Sequence, residues 1–253
     1  MSTTAITFIG GPTALLEYAG LRIVTDPTFD APQSYPEPDA TELVKTRGPA
    51  LSRAEVWPVD LVLLSHHTHK DNLDYEGLEL IAQGPVTIGT REAASDLWGG
   101  SVIGFDAWES HEIDGVTVTV VPALHGPPGS EALLGTVVGF VLEAPGHPTV
   151  YVSGDNASLP LVAQIADRFP GIDIALLFAG AARVPEIDAT LTMTAADAVK
   201  AARLLGAAWV VGLHTDDWGH FTEDFRALDA AFLGSAASGA ALIETPRGVR
   251  VEL

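Results

Sequence analysis

Between Leu61 and Asp74 the chain reads Leu-Val-Leu-Leu-Ser-His-His-Thr-His-Lys-Asp-Asn-Leu-Asp. An apolar run ends abruptly in three imidazoles and two carboxylates. The run predicts a buried strand, and the cluster behind it predicts metal ligands delivered at that strand's end. Neutral imidazole together with carboxylate suits zinc, manganese or iron(II). A solvated, His-rich turn is the plainer alternative, and the remaining strand ends weigh against it.

Short strands are predicted over residues 5–9, 14–18 and 21–25, separated by the turns Gly10-Gly11-Pro12 and Ala19-Gly20. From 27 to 58 the pattern dissolves. Pro27, Pro32, Pro36, Pro38, Pro49 and Pro58 forbid a regular element through most of it, which predicts a long loop of the kind that serves as a lid. Asp74 caps a short helix through 83, and Thr90 caps another through Trp98, stopped by Gly99-Gly100, with a strand at 86–89 between them. Strands follow at 116–121, 136–143 and 149–153. Ser158 opens a helix to 169, and a buried strand occupies 173–178. Thr194 caps a helix that Gly206 stops, a strand at 209–213 follows, and Thr222 opens the last helix. Segments 241–244 and 249–252 close a sheet. Strands dominate the first half and alternate with helices in the second, so one layered α/β domain over 1–253 is expected.

Hydrophobic residues make up 47% of the 253, enough for a sizeable core. No apolar run approaches the roughly 18 residues that span a bilayer. Met1-Ser2-Thr3-Thr4 has neither the basic region nor the apolar segment of a secretory signal. Absence of cysteine removes disulfides and thiolate ligands and fits a cytoplasmic protein. Thirteen Lys+Arg against 33 Asp+Glu give a net charge of −20, which repels phosphate backbones. Neither nucleic acid nor membrane is therefore an expected partner. A small-molecule substrate is, and the sequence leaves the oligomeric state open.

Four strand ends carry ligand-type residues. His66, His67, His69 and Asp71 follow one strand, and His125, Asp155 and His214 follow three others. Sites in layered α/β folds form where strand ends converge. In this order the residues resemble the metallo-β-lactamase superfamily of metallohydrolases. Its motifs are an Asp after an early strand, His-x-His-x-Asp-His, a later His, a bridging Asp and a last His. The chain offers Asp26, His67-Thr68-His69-Lys70-Asp71-Asn72, His125, Asp155 and His214. Ser65, His66, Asp71 and Asp74 resemble most the ascorbate-6-phosphate lactonase-like branch.

The resemblance implies a four-layer αββα sandwich with one or two ions, zinc first and manganese or iron as alternatives, along one edge. It implies metal-assisted hydrolysis of a small ester, lactone or related substrate, because a bound ion lowers the pKa of water from 15.7 toward about 7. Asp155 would position the nucleophile, and Asp71 would take its proton or bind a second metal. A non-hydrolytic metal-binding protein and a hydrolase of small phosphate esters are the alternatives.

Two departures bear on these expectations. Asn72 stands where the family has its third motif histidine, so the second ion position is expected to be weakened while the first stays intact. Counting back from Asp71 selects His67 as first ligand, whereas aligning Ser65 selects His66 with one extra residue before His69. Arg183, a scarce cation after a strand, is a candidate to hold a substrate carboxylate or phosphate. Trp218 and His220 follow the last ligand and are expected to line the pocket, and Asp26 to orient the site through hydrogen bonds. His111 and His147 sit in turns at the opposite strand ends and read as structural or solvated.

Overall fold

The computed structural model describes residues 4–36, 41–97, 102–235 and 239–253. The amino-terminal half builds β1 (Ala5–Gly10), β2 (Thr13–Tyr18), β3 (Leu21–Thr25), a small hairpin of β4 (Gln33–Tyr35) and β5 (Leu43–Lys45), then β6 (Leu61–Leu63), β7 (Val86–Thr90) and β8 (Val102–Phe105). It also contributes helices α1 (Arg53–Val56), α2 (Tyr75–Ala82) and α3 (Arg91–Asp96). The rest builds β9 (Ser110–Ile113), β10 (Val116–Pro122), β11 (Val138–Glu143), β12 (Val150–Val152), β13 (Ile174–Phe178), β14 (Trp209–Leu213), β15 (Ala241–Leu242) and β16 (Arg250–Glu252). Its helices are α4 (Glu131–Leu134), α5 (Leu159–Arg168), α6 (Ala195–Leu205) and α7 (Phe225–Leu233).

These form two seven-stranded sheets, ordered β16-β1-β2-β3-β6-β7-β8 and β15-β14-β13-β12-β11-β10-β9. Alternation along each strand divides the core into layers. Ile6, Leu16, Leu61 and Leu63 meet Val118, Val120, Phe140 and Leu176 between the sheets. Val24, Val62 and Leu64 face Leu80, Ile81 and Ala93 outside the first sheet. Val141, Tyr151 and Ala175 face Val162, Ala198, Leu205 and Leu228 outside the second. The result is the αββα sandwich. Burial on both faces explains why the strands read as continuous apolar runs.

The Pro-rich stretch is built rather than loose. Besides β4, β5 and α1 it holds buried Thr28, Phe29 and Asp30. Asp74, expected to cap α2, also fastens this stretch. Its Oδ1 accepts from Gly77 N at 2.8 Å and Phe29 N at 2.9 Å. Its Oδ2 accepts from Asp30 N at 2.7 Å and Lys45 Nζ at 2.8 Å. The Lys45 and Asp74 side chains are 1% and 0% exposed, so this ion pair is shielded from water.

Other differences have local causes. The polar residues of β9 and Gly104 in β8 hid those strands. A Cβ at Gly104 would stand 2.7 Å from Arg91 Cα, so the glycine lets α3 approach. The last helix begins at Phe225 because Asp224 accepts from Ala227 N, while the Thr222 hydroxyl donates to Ala181 O. Segments 241–244 and 249–252 do not pair: β15 lies beside β14 and β16 beside β1, in different sheets. Helix α3 ends at Asp96; Trp98 and Gly99-Gly100 lie outside the described residues, as does Pro38. No helix among the described residues is long and apolar enough to cross a membrane.

Removing one member of a buried ion pair strands the other charge, at a cost of about 3–5 kcal/mol. Lys45→Met is therefore expected to lower unfolding free energy by that amount in urea titrations. A loss below about 1 kcal/mol would mean that backbone donors alone satisfy Asp74.

Candidate metal centre

The strand directions bring the ligand-type residues to one edge. β3 and β6 run parallel, and so do β12, β13 and β14. β10 is antiparallel to β11, which is antiparallel to β12, so β10 and β12 share a direction. Asp26, the segment from His66 to Asp71, His125, Asp155 and His214 all leave carboxyl-terminal strand ends. Gly154 lets two of these loops meet. Its φ is +55°, and a Cβ there would lie 2.4 Å from Val138 O and 2.9 Å from Ser65 Cβ. His214 is itself left-handed, at φ +57°, a conformation that costs a non-glycine residue roughly 1–3 kcal/mol. Its N–H donates to Gly11 O at 2.7 Å, which helps to hold it there.

Two groups of donors result. In the first, His66, His69 and His125 bring their ligand atoms within 4.8 Å of one another; in the second, Asp71, Asp155 and His214 do the same. His66 Nε2 stands 2.9 Å from His69 Nδ1. Asp155 spans both groups, with Oδ2 3.6 Å from His125 Nε2 and Oδ1 3.4 Å from His214 Nε2. Asp71 Oδ2 lies 3.3 Å from His214 Nε2. His125 Nδ1 donates to Leu191 O at 2.9 Å, which leaves its Nε2 lone pair directed at the cluster.

The electrostatics divide along the same line. Burial, reinforced by neighbouring imidazoles, drives His66 well below its ordinary value and His69 to about 4, so both are neutral and able to ligate. Burial alone would raise the Asp155 carboxyl, yet His214, His125 and His66 hold it well below the usual range. Asp71 is likewise held down, against burial, by His214 and His220. Burial opposes charge on His214, but Asp155 and Asp71 outweigh it and push the imidazole up to about 10. Behind the cluster, burial and then the Asp155 charge drive Asp26 well above the carboxylate range, while its Oδ1 accepts from Ser65 N at 2.7 Å. Asp155 Oδ2 and both ring nitrogens of His214 are buried without a hydrogen-bond partner among the described residues. A divalent cation fits this donor set.

Of the two first-ligand readings, the structure brings His66 into the cluster and turns His67 out. The extra residue before His69 directs the His67 ring to Asp96, at 3.1 Å. Asn72 is buried, with Nδ2 3.4 Å from Asp155 Oδ1 and 3.5 Å from Ser65 Oγ. Arg183 is exposed and is not among the described residues that line the cavity described below; its N–H donates to His220 O. Trp218 is buried away from that cavity, under Lys45 and against Tyr35. His220 does line it, and its Nε2 reaches Asp71 Oδ2 at 3.0 Å.

A cavity of about 550 Å³ opens over His69, Asp71 and His125. Its apolar walls include Leu43, Leu134, Val184 and Leu191, and its acidic members besides Asp71 are Glu92, Glu131 and Glu186 among the described residues. None of these seven was visible as a site residue in the sequence, because each is contributed by a loop or a short element distant from the ligand motifs.

Comparison with known proteins agrees with this architecture. A family model described as a β-lactamase superfamily domain matches residues 21–215. A UPF0173 metal-dependent hydrolase of Methanocorpusculum labreanum is 30% identical over 179 residues, covering 68% of this chain and 75% of that protein. One from Pelotomaculum thermopropionicum is 28% identical over 228 residues, 87% of each chain. Among solved structures, a possible metal-dependent hydrolase of Veillonella parvula superposes over the whole of both chains with a TM-score of 0.85 at 22% identity. An isothiocyanate hydrolase from Delia radicum gut bacteria does so over 98% of each, with a TM-score of 0.84 at 20% identity.

Two outcomes follow for the cluster. His66→Ala and His69→Ala should each lose metal at the first group, whereas His67→Ala should retain it, as read by elemental analysis after dialysis; equal loss in all three would restore His67 as a ligand. In chelator-treated protein, protonated His214 contributes stability fully present below 6.5 and lost as pH rises through about 10. Zinc binding at pH 8 should therefore displace about one proton from this group, measurable by calorimetry in buffers of different ionisation heat. Release near zero would show that His214 is already neutral.

Proposed function

The chain belongs to the β-lactamase superfamily domain family and is a metal-dependent hydrolase, and from that premise we propose that it cleaves small uncharged or cationic esters or lactones. The observation that carries the substrate class is the cavity. Its walls are largely apolar, and among the described residues its formal charges besides the donor groups are Glu92, Glu131 and Glu186, with no lysine or arginine lining it. Each carboxylate disfavours an anion by roughly 1 kcal/mol at about 4 Å in water, and by more where water is excluded. A phosphate ester meets this repulsion, and the exposed Arg183 does not relieve it. The likeness to the ascorbate-6-phosphate lactonase-like branch thus extends, in this reading, to the lactone and not to the phosphate.

Three imidazoles with Asp155 suit zinc at the first group, and the two carboxylates of the second suit zinc, manganese or iron(II). Ions held there supply a Lewis acid and an activated water at neutral pH. The chain's own part is placement. Asp155, with one oxygen toward each group, fixes the position from which water approaches the substrate. Leu43, Leu134 and Leu191 desolvate the substrate and hold its reacting bond above His69 and His125. Of the two roles open to Asp71, holding an ion is favoured, because two imidazoles already converge on its Oδ2. A cytoplasmic location goes with this reading, supported by the cysteine-free sequence.

A panel of matched esters tests it, with an isothiocyanate added because a neighbour in fold acts on one. At low ionic strength, kcat/KM for an uncharged or quaternary-ammonium ester should exceed that of its carboxylate analogue at least tenfold. Glu131→Gln and Glu186→Gln should narrow the ratio, and Arg183→Ala should leave KM unchanged. Preference for the anionic substrate would overturn the assignment.

A further inference from the structure

We propose that His220 is a ligand of the second metal position, supplying the imidazole that Asn72 does not. The inference rests on the reading of the two donor groups as ion positions and adds one residue to the second. Asn72 falls where the motif histidine is expected, yet its amide nitrogen is turned to Asp155 and Ser65, and its Oδ1 is buried with no partner among the described residues. On the cavity side, His220 Nε2 lies 3.0 Å from Asp71 Oδ2, and His214 Nε2 lies 3.3 Å from that same oxygen. Donors bound to one ion at about 2.0–2.2 Å stand roughly 2.8–4.4 Å apart, so both separations suit a shared cation. The first group shows the same spacing between His66 and His69.

Beyond Asp71, no polar group among the described residues competes for the ring. His220 Nδ1 is buried without a hydrogen bond among the described residues, and the side chain is only 9% exposed. Its backbone is fastened on both sides. Arg183 N donates to His220 O, Gly219 N donates to Val44 O at 2.9 Å, and Phe221 packs its ring 4.6 Å from the imidazole. Asp71, Asp155 and His214 form the second group, and His220 joins it through Asp71 Oδ2; donors of these types take a divalent first-row cation, zinc, manganese or iron(II). The sequence motif is then incomplete where the site is not, since the fourth donor comes from the loop after β14 rather than from the loop after β6.

Titration of chelator-treated full-length protein with zinc, followed by calorimetry and elemental analysis, tests this. Wild type should bind two ions per chain. His220→Ala should bind one, at the affinity of the first wild-type site. Asn72→His in the His220→Ala background should regain the second. His220→Gln keeps a donor to Asp71 but no imidazole, and should weaken the second ion at least tenfold; with cobalt(II), its visible spectrum should change while the first-site bands persist. Two ions in His220→Gln within threefold of wild-type affinity would overturn the proposal and leave His220 as a hydrogen-bond donor that positions Asp71. One ion in wild type would also overturn it. No ion in wild type would instead remove the metal-hydrolase reading itself.

Discussion

Asp155 is fully buried, and its carboxylate keeps its charge only because imidazoles stand on both sides of it. Much of the architecture follows from that requirement. A desolvated anion needs compensation of opposite sign within a few ångströms, and no single loop can provide it from every direction. Two sheets whose strands end at a common edge can. One delivers His66 and His69, the other His125 and His214, and the anion sits between. Asp26, pushed toward its neutral form behind the cluster, spares the site a third negative charge while still accepting the Ser65 N–H.

A second shielded carboxylate does comparable work for the substrate side. Asp74 gathers the start of α2, the segment at Phe29 and Asp30, and Lys45 on β5. Leu43, two residues before Lys45 on the same strand, lines the cavity. The Pro-rich excursion is therefore pinned at the point where it becomes a wall, and the shape of that wall is tied to an ion pair that water does not reach.

The fold and most members of the two donor groups were legible because both depend on local pattern. Apolar runs ending in His or Asp mark the strands and their functional ends, and Thr194 and Gly206 mark a helix at both its limits. What could not be read depends on contacts remote in sequence. The choice between His66 and His67 turns on the extra residue before His69 and on Asp96, remote in sequence, which receives the His67 ring. Lys45 looks like a surface cation until Asp74 is beside it. The cavity walls come from short elements at Leu43 and Leu134 and a loop at Val184, which share position and not pattern. Arg183 drew attention as a rare charge, but a side chain's neighbours, rather than its rarity, decide whether it meets a ligand.

The contrast between the exposed and the shielded charges gives the molecule two separate responses to its ionic medium. Carboxylates on the surface and at the cavity mouth act over about 8 Å at 0.15 M ionic strength and over only about 3 Å at 1 M. Lys45 and Asp74, excluded from solvent, scarcely feel that change. Brine would thus mute the long-range attraction that gathers cationic molecules toward the opening and leave the wall around Leu43 standing. Capture and containment are insulated from each other, so the mouth can be retuned by its charges without loosening the chamber behind it.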